Sequence, residues 1–202
     1  MTTNPQQQGP AGGPVADWRA GFNVLRFAAR AAALPVEVFV RRFGTWGDRH
    51  LGMAALAGLL WPFLFMGLYG PDRGLGAVLD FWVAMAAALG LHRAAGLARR
   101  RRGEAVHSRD VGTSRFAGRP LVRSAQAAHG LEVVFALVAA LLAFEGVSKP
   151  LGGFLLVSAL GHCFTLCLAH QATDARLRAM RDAELEAGYY AHLYRERFGG
   201  RR

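Results

Sequence analysis

Long stretches without charge dominate the hydrophobic pattern, and four of them have the length of a membrane helix. A helix needs roughly 20 mostly apolar residues to cross a hydrocarbon core about 30 Å thick. Residues 51–69 (LGMAALAGLLWPFLFMGLY) contain no charge, and residues 75–91 contain only Asp80. Residues 130–147 carry Glu132 and Glu145 near their two ends, and residues 151–169 have His162, Cys163 and Cys167 but no formal charge. The links GPDRG at 70–74 and SKP at 148–150 are short and rich in helix-stopping residues. The pattern therefore predicts an all-α integral membrane protein with four transmembrane helices in two antiparallel hairpins, at 50–97 and 130–170.

Outside these runs the pattern changes. The first 15 residues are rich in Pro, Gly and Gln and read as disordered; they lack the cationic start of a secretory signal. Residues 16–49 read as an amphipathic interfacial segment. In it Trp18, Phe22, Leu25 and Ala29 recur at helical steps, Arg19, Arg26 and Arg30 fall on a neighbouring face, and Pro35 ends the helix. This helix either lies along the headgroups or packs on the cytoplasmic ends of the spans. Residues 171–202 read as a charged helical tail, with Asp174–Arg178 and Arg178–Asp182 as i,i+4 pairs. Its Leu177, Met180, Tyr189, Leu193 and Phe198 supply a patchy apolar side that suits a partner helix or a fold back onto the middle loop.

Composition then adds orientation. The 202 residues are 52% hydrophobic and 19% charged, with a net charge of +10, against about 25% charged in an average soluble domain. This argues against a disordered chain, a disulfide-rich secreted domain or an acidic mimic. The 24 cations are segregated: six precede the first span, nine lie between Arg93 and Arg123, seven follow the fourth span, and the two short turns hold Arg73 and Lys149. Cytoplasmic segments retain Lys and Arg, which predicts a multi-pass protein of a bacterial inner membrane with both termini inside. The run Arg99, Arg100, Arg101 and Arg102 is the candidate contact for anionic lipid headgroups or phosphate. No P-loop or aromatic-rich stacking surface accompanies it, so nucleic acid is not the expected ligand.

Chemistry-bearing residues are few. Cys163, Cys167 and His170 fall at i, i+4 and i+7 on one face of the fourth span, with His92 and His129 expected at a similar depth. Thiolate and imidazole would suit copper(I) or zinc, although buried cysteine often acts as a small apolar residue. The i,i+4 spacing does not favour a disulfide. The opposite face carries Ser158, Gly161, His162, Thr165 and Ala169. With Ala86, Gly90 and Ala94 in the second span and Ala54 and Gly58 in the first, these read as helix-packing surfaces. His162 is then a buried hydrogen-bonding group or a proton or ligand site. Asp80, Glu132 and Glu145 read as paired carboxylates near the interfaces, and Pro62 as a kink. His107 to Asp110 read as solvated loop. No catalytic or cofactor-binding motif is recognisable, so neither an enzyme nor a cofactor is expected.

The segment HSRDVGTSRF after the second span and MRDAELE in the tail resemble small bacterial polytopic membrane proteins associated with conjugation or type IV secretion gene sets. The likeness covers the latter half of the chain. It implies a membrane-embedded assembly subunit and brings no catalytic residues with it. The leading expectation is accordingly a structural or scaffolding subunit with a protein partner or a second copy bound through its transmembrane and C-terminal helices. A small transporter or channel, or a metal-binding redox protein built on Cys163, Cys167 and His170, are the alternatives.

Overall fold

A computed structural model describes residues 14–46, 52–69, 75–104, 112–120 and 122–198. The expected turn at 70–74, the stretch 107–110 and the first 13 residues lie outside these. Five helices account for most of the described chain: α1 (Pro14–Val40), α2 (Met53–Tyr69), α3 (Leu75–Arg101), α4 (Ala125–Gly146) and α5 (Lys149–Phe198). Three are long and apolar enough to cross a bilayer: α3 over Gly76–Arg101, α4, and α5; α2 over Met53–Leu68 is apolar but shorter. Contacts divide the chain into two units, one ending at Thr165 and one beginning at Leu166.

Local chemistry explains the helix ends. Ser124 caps α4 in an extended conformation, its hydroxyl accepting from Ala127 N at 3.1 Å. At the other end Val147 N and Ser148 N both donate to Ala143 O, and Ser148 Oγ accepts from Leu151 N at 3.3 Å to start α5. Pro150 suits the first turn of α5, where no backbone N–H is needed. Gly152 then lies against the Phe144 backbone with no room for a Cβ, which brings α4 and α5 into close contact directly after their link.

In the first unit, α1 departs from the expected surface helix. Pro35 does not end it; the helix continues to Val40. Pro35 cannot donate to the carbonyl of Ala31, and that carbonyl faces Gly58 of α2, where a Cβ would lie 2.8 Å away. Glycine leaves room for the carbonyl that proline frees. Residues 18–28 of α1 are exposed apart from Arg19, whose side chain is not described, whereas from Ala31 to Val40 every residue is buried except the half-buried Phe39. The second half of α1 is thus core, not interface.

Three apolar clusters place that core. Leu34 and Val38 of α1 pack with Ala55 of α2 and Met85 and Ala88 of α3, beside Trp46. Val36 and Val40 pack with Ala136 of α4 and Ala159 of α5. The third cluster contains Val78, Ala143, Leu151 and Phe154 with Trp61 and Phe65, and takes nothing from α1. Helix α1 is a wedge that enters one end of the bundle, between α2 and α3 on one side and α4 and α5 on the other. Pro62 is buried within a continuous α2, and Trp82 Nε1 of α3 donates to Leu59 O in the turn before it at 2.9 Å.

Outward faces of the bundle are apolar. Leu56, Leu60, Leu64 and Leu68 form an exposed row along α2, and Leu131, Val134, Phe135, Val138, Leu141 and Leu142 do the same on α4. Large apolar side chains exposed on most outer faces, over an interior that holds charge, are compatible with a membrane protein.

In the second unit, α5 does not stop at the end of the expected fourth span. It runs without interruption to Phe198, so the expected tail is the continuation of the same helix. Residues 171–198 are all exposed.

Candidate functional site: a buried ionisable cluster beneath a polar cap

Helix α1 brings two charges into the bundle. Glu37 and Arg41 stand one turn apart, so they share a face, and both are buried. Arg41 Nη2 pairs with Glu132 Oε2 of α4 at 3.1 Å, both side chains being fully inaccessible. The guanidinium also donates from Nη1 to Gly112 O at 3.2 Å and to His129 Nε2 at 3.4 Å. Guanidinium can only donate, so His129 presents a lone pair on Nε2 and carries its proton on Nδ1.

His162 of α5 closes the cluster. Its Nδ1 lies 3.4 Å from Glu37 Oε1 and its Nε2 lies 3.3 Å from Glu132 Oε2, with the ring fully buried. Thr165 Oγ1 donates to His162 O at 2.8 Å and sits 3.4 Å from Glu37 Oε1. One turn before His162, Ser158 is satisfied by Phe154 O at 2.9 Å. Glu132 Oε1 and Arg41 Nε are buried without a hydrogen-bond partner. Isolated charges in a low-dielectric interior cost several kcal/mol each, so these groups persist there only by facing one another.

A cap covers the end of the bundle at which α1 finishes. Arg41 and Ser114 form an antiparallel bridge, with Arg42 N donating to Thr113 O and Arg115 N to Val40 O, both at 2.9 Å. Arg115 Nε donates to Arg41 O at 2.9 Å, and its guanidinium stacks 4.4 Å over Phe43. Arg42 Nη2 reaches Ala117 O at 2.7 Å. Gly112, at φ +85°, sits where a Cβ would meet Trp46 at 2.5 Å, a combination only glycine accepts. Trp46 in turn stacks on His92 at 4.3 Å, and His92 Nε2 donates to Val38 O at 3.0 Å. The segment GTSRFAGR is therefore bound to the end of α1 rather than free in solvent.

The residues singled out by sequence separate accordingly. Gly161 makes a close approach: a Cβ there would lie 2.9 Å from Ala29 O and 3.0 Å from Ala32 Cβ. His162 and Thr165 join the cluster. Nothing lies within 4 Å of the Cβ that Gly90 lacks, so it makes no tight helix contact within the chain. Glu132 is deep inside with an arginine partner, whereas Asp80 and Glu145 are exposed. Arg99 is tied to Glu104 at 2.6 Å and to Gly44 O at 3.0 Å; Arg100, Arg101 and Arg102 are exposed. Cys163 is half-buried and Cys167 exposed. Among the described residues no group of three or more His, Cys, Asp or Glu side chains is gathered as a metal ion requires.

Glu37 and Arg41 are the members that sequence reasoning missed. The available signal was a carboxylate inside the apolar run VEVFV with an arginine one turn later. Assigning that run to a surface segment hid it.

No family model matches the chain, and neither a curated protein nor a solved structure does.

Proposed function

We propose that this chain is a four-span protein of a bacterial cytoplasmic membrane, with both termini and the 98–129 segment inside. In this reading it is a structural subunit of a membrane assembly, possessing a cytoplasmic helix for a partner protein. The observation that carries the reading is the second half of α5. Residues 171–198 are exposed throughout, yet they include Leu177, Met180, Leu185, Tyr189, Tyr190, Leu193, Tyr194 and Phe198. Ordering so long a helix with no apolar face covered is unfavourable on its own, since most helical stability comes from burying such a face. A partner supplies that cover. The arginine distribution supports the orientation, and the exposure of Arg100, Arg101 and Arg102 supports a contact with anionic headgroups. Resemblance of HSRDVGTSRF and MRDAELE to secretion-associated membrane proteins supports the assembly role.

The test is recovery of the partner. Tagged full-length chain extracted in mild detergent should bring down one other protein in stoichiometric amount, and Leu185→Asp with Leu193→Asp should abolish that recovery. Free monomer from the unaltered chain overturns the reading, and self-association in place of a second protein replaces the partner with another copy. Reporter fusions in the 70–74 turn and at the C-terminus check topology; a turn found inside reverses the orientation.

The buried cluster favours a second reading, a small transporter or channel, because ionisable groups facing a bundle interior commonly mark ion pathways. Flux into vesicles that is lost in Glu132→Gln, with the folded chain intact, would replace the structural role with that one.

A further inference from the structure

The half of α1 that precedes Ala31 has the polarity of a helix sunk just below a membrane surface. Arg19, Asn23, Arg26 and Arg30 recur at steps of four, three and four, which gathers them into an arc of about 60° at 3.6 residues per turn. Every other residue from Trp18 to Ala29 is apolar or glycine. Trp18, Phe22, Val24, Leu25 and Phe27 are all exposed. Arg26 is exposed too, and Arg30 is half-buried with its Nη2 lacking a hydrogen-bond partner. A helix resting on a core from the water side has the reverse proportion, an apolar stripe beneath a wide polar face.

Contacts of the buried half give the direction of that arc. Helix α1 is continuous to Val40, and Glu37 and Arg41 continue the arc of Arg26 and Arg30. Glu37 meets His162 and Thr165, and Arg41 meets His129 and Glu132. Val36 and Val40 continue the line of Trp18, Phe22, Leu25 and Ala29 instead, and they pack with Ala136 and Ala159. Ala136 is one turn farther than Glu132 from the capped start of α4. Ala159 precedes His162 in α5, which runs the opposite way, as the pairs Glu132–His162 and Phe144–Gly152 require. The arginine arc therefore turns toward the capped end of the bundle, and the aromatic line turns away from it. Depth agrees. Ala29 O lies against Gly161 and Ala31 O against Gly58, so α1 leaves the bundle between α5 and α2. Gly58 is five residues after Met53, about 8 Å along the helix axis.

We propose that residues 18–30 are an in-plane membrane anchor in which Arg26 and Arg30 bind the phosphates of anionic phospholipids in the leaflet at the capped end. The inference rests on the membrane reading given above. Amphipathic helices of this kind sink about 5–10 Å into the boundary between headgroups and acyl chains, and long arginine side chains reach back to the headgroups from there. Guanidinium suits phosphate through paired donors, and no carboxylate lies within residues 18–30 to compete for it. A soluble partner would have to enclose the apolar surface on both sides of the arginines, whereas acyl chains cover it without a fitted surface. Anchor and wedge are one helix, so lipid bound at the capped leaflet also holds Glu37 and Arg41 in the bundle.

The experiment places nitroxide labels on the full chain in nanodiscs, in a Cys163→Ser, Cys167→Ser background. Val24→Cys and Leu25→Cys report the anchor, and Leu60→Cys reports the outward row of α2. Collision with oxygen marks acyl surroundings, and collision with a nickel chelate marks water. Labels at Val24 and Leu25 should be open to oxygen and shielded from nickel, as at Leu60. Nickel access at Val24 and Leu25 with oxygen access at Leu60 overturns the anchor but not the membrane reading; nickel access at Leu60 overturns both. Shielding of Val24 and Leu25 from both reagents means that protein covers the helix, and it overturns the lipid assignment. The retained ratio of phosphatidylglycerol to phosphatidylcholine on the purified chain should fall roughly fivefold in Arg26→Gln and again on adding Arg30→Gln. Arg181→Gln, in the second unit, should leave it unchanged. An unaltered ratio in Arg26→Gln, or an equal fall in Arg181→Gln, overturns the role of the arginine arc. Because Arg26 is exposed, that single variant decides the point even where Arg30→Gln disturbs the fold.

Discussion

The bundle up to Thr165 and the helical stretch after it handle polarity in opposite ways. In the bundle, Arg41, Glu132 and His162 are fully buried while Leu60, Leu64 and Leu142 face outward. After Leu166, apolar and charged side chains alike are exposed from 171 to 198, with pairs such as His192 and Glu196 3.7 Å apart in the open. An apolar outer face over paired internal charges is compatible with lipid surroundings, where outward leucine costs nothing and charges must find each other inside. An exposed ion pair is worth little, so pairs such as His192 and Glu196 do not by themselves fix the apolar side chains of the second stretch in place.

The strongest way to break this contrast is to strand a charge in the bundle. Arg41→Met should leave Glu132 buried without its guanidinium and destabilise the chain by about 3–5 kcal/mol, read by denaturant unfolding in detergent. Adding Glu132→Met should recover part of that loss; a double variant no better than Arg41→Met would show that the arginine acts mainly through the cap. Gly58→Ala comes next. Its Cβ would meet Leu34 Cβ at 2.7 Å and Ala31 O at 2.8 Å, and overpacking of this kind costs about 1–3 kcal/mol. An unchanged stability would mean that α1 is not wedged against α2.

Gly112→Ala sharpens the role of the cap. The left-handed conformation alone costs roughly 1–2 kcal/mol for an L residue, and the methyl also displaces Trp46. Tryptophan fluorescence should therefore shift along with a lower unfolding midpoint. The smallest effect belongs to the other region: Leu185→Ala should change stability by no more than about 0.5 kcal/mol, as for an exposed site without special contacts. A loss comparable to that of Gly58→Ala would show that this leucine is covered within the chain.

Much of the helical framework was legible because it depends on local sums. The apolar windows that became α2, α3, α4 and the first part of α5 are each close to 20 residues long, and Ser124 and Ser148 are ordinary helix starts. Two boundaries misled. Pro35 reads as a stop, but the carbonyl it leaves without a donor is accommodated at Gly58, so α1 continues. The end of the fourth apolar run reads as a helix end, but hydropathy ends there while helix propensity does not, since the DARLRAM stretch is rich in good helix formers.

The candidate site was only half visible. His162 and Thr165 stood out as polar residues on an apolar helix, and Glu132 as a carboxylate beside a span. Glu37 and Arg41 lay in a segment whose three upstream arginines pointed to the membrane surface, and the half of α1 that enters the bundle could not be told from the half that remains exposed.

Sequence by itself determined that the chain is helical, that several helices are apolar enough for a membrane, and that its cations are segregated, because each property is a sum over neighbouring residues. Tertiary structure alone decided that α1 is the wedge of the bundle and that Glu37 meets His162 across 125 positions. The reason is physical: an unpaired buried charge is too costly to keep, but which distant group pairs with it depends on how the helices pack, and no local pattern encodes that.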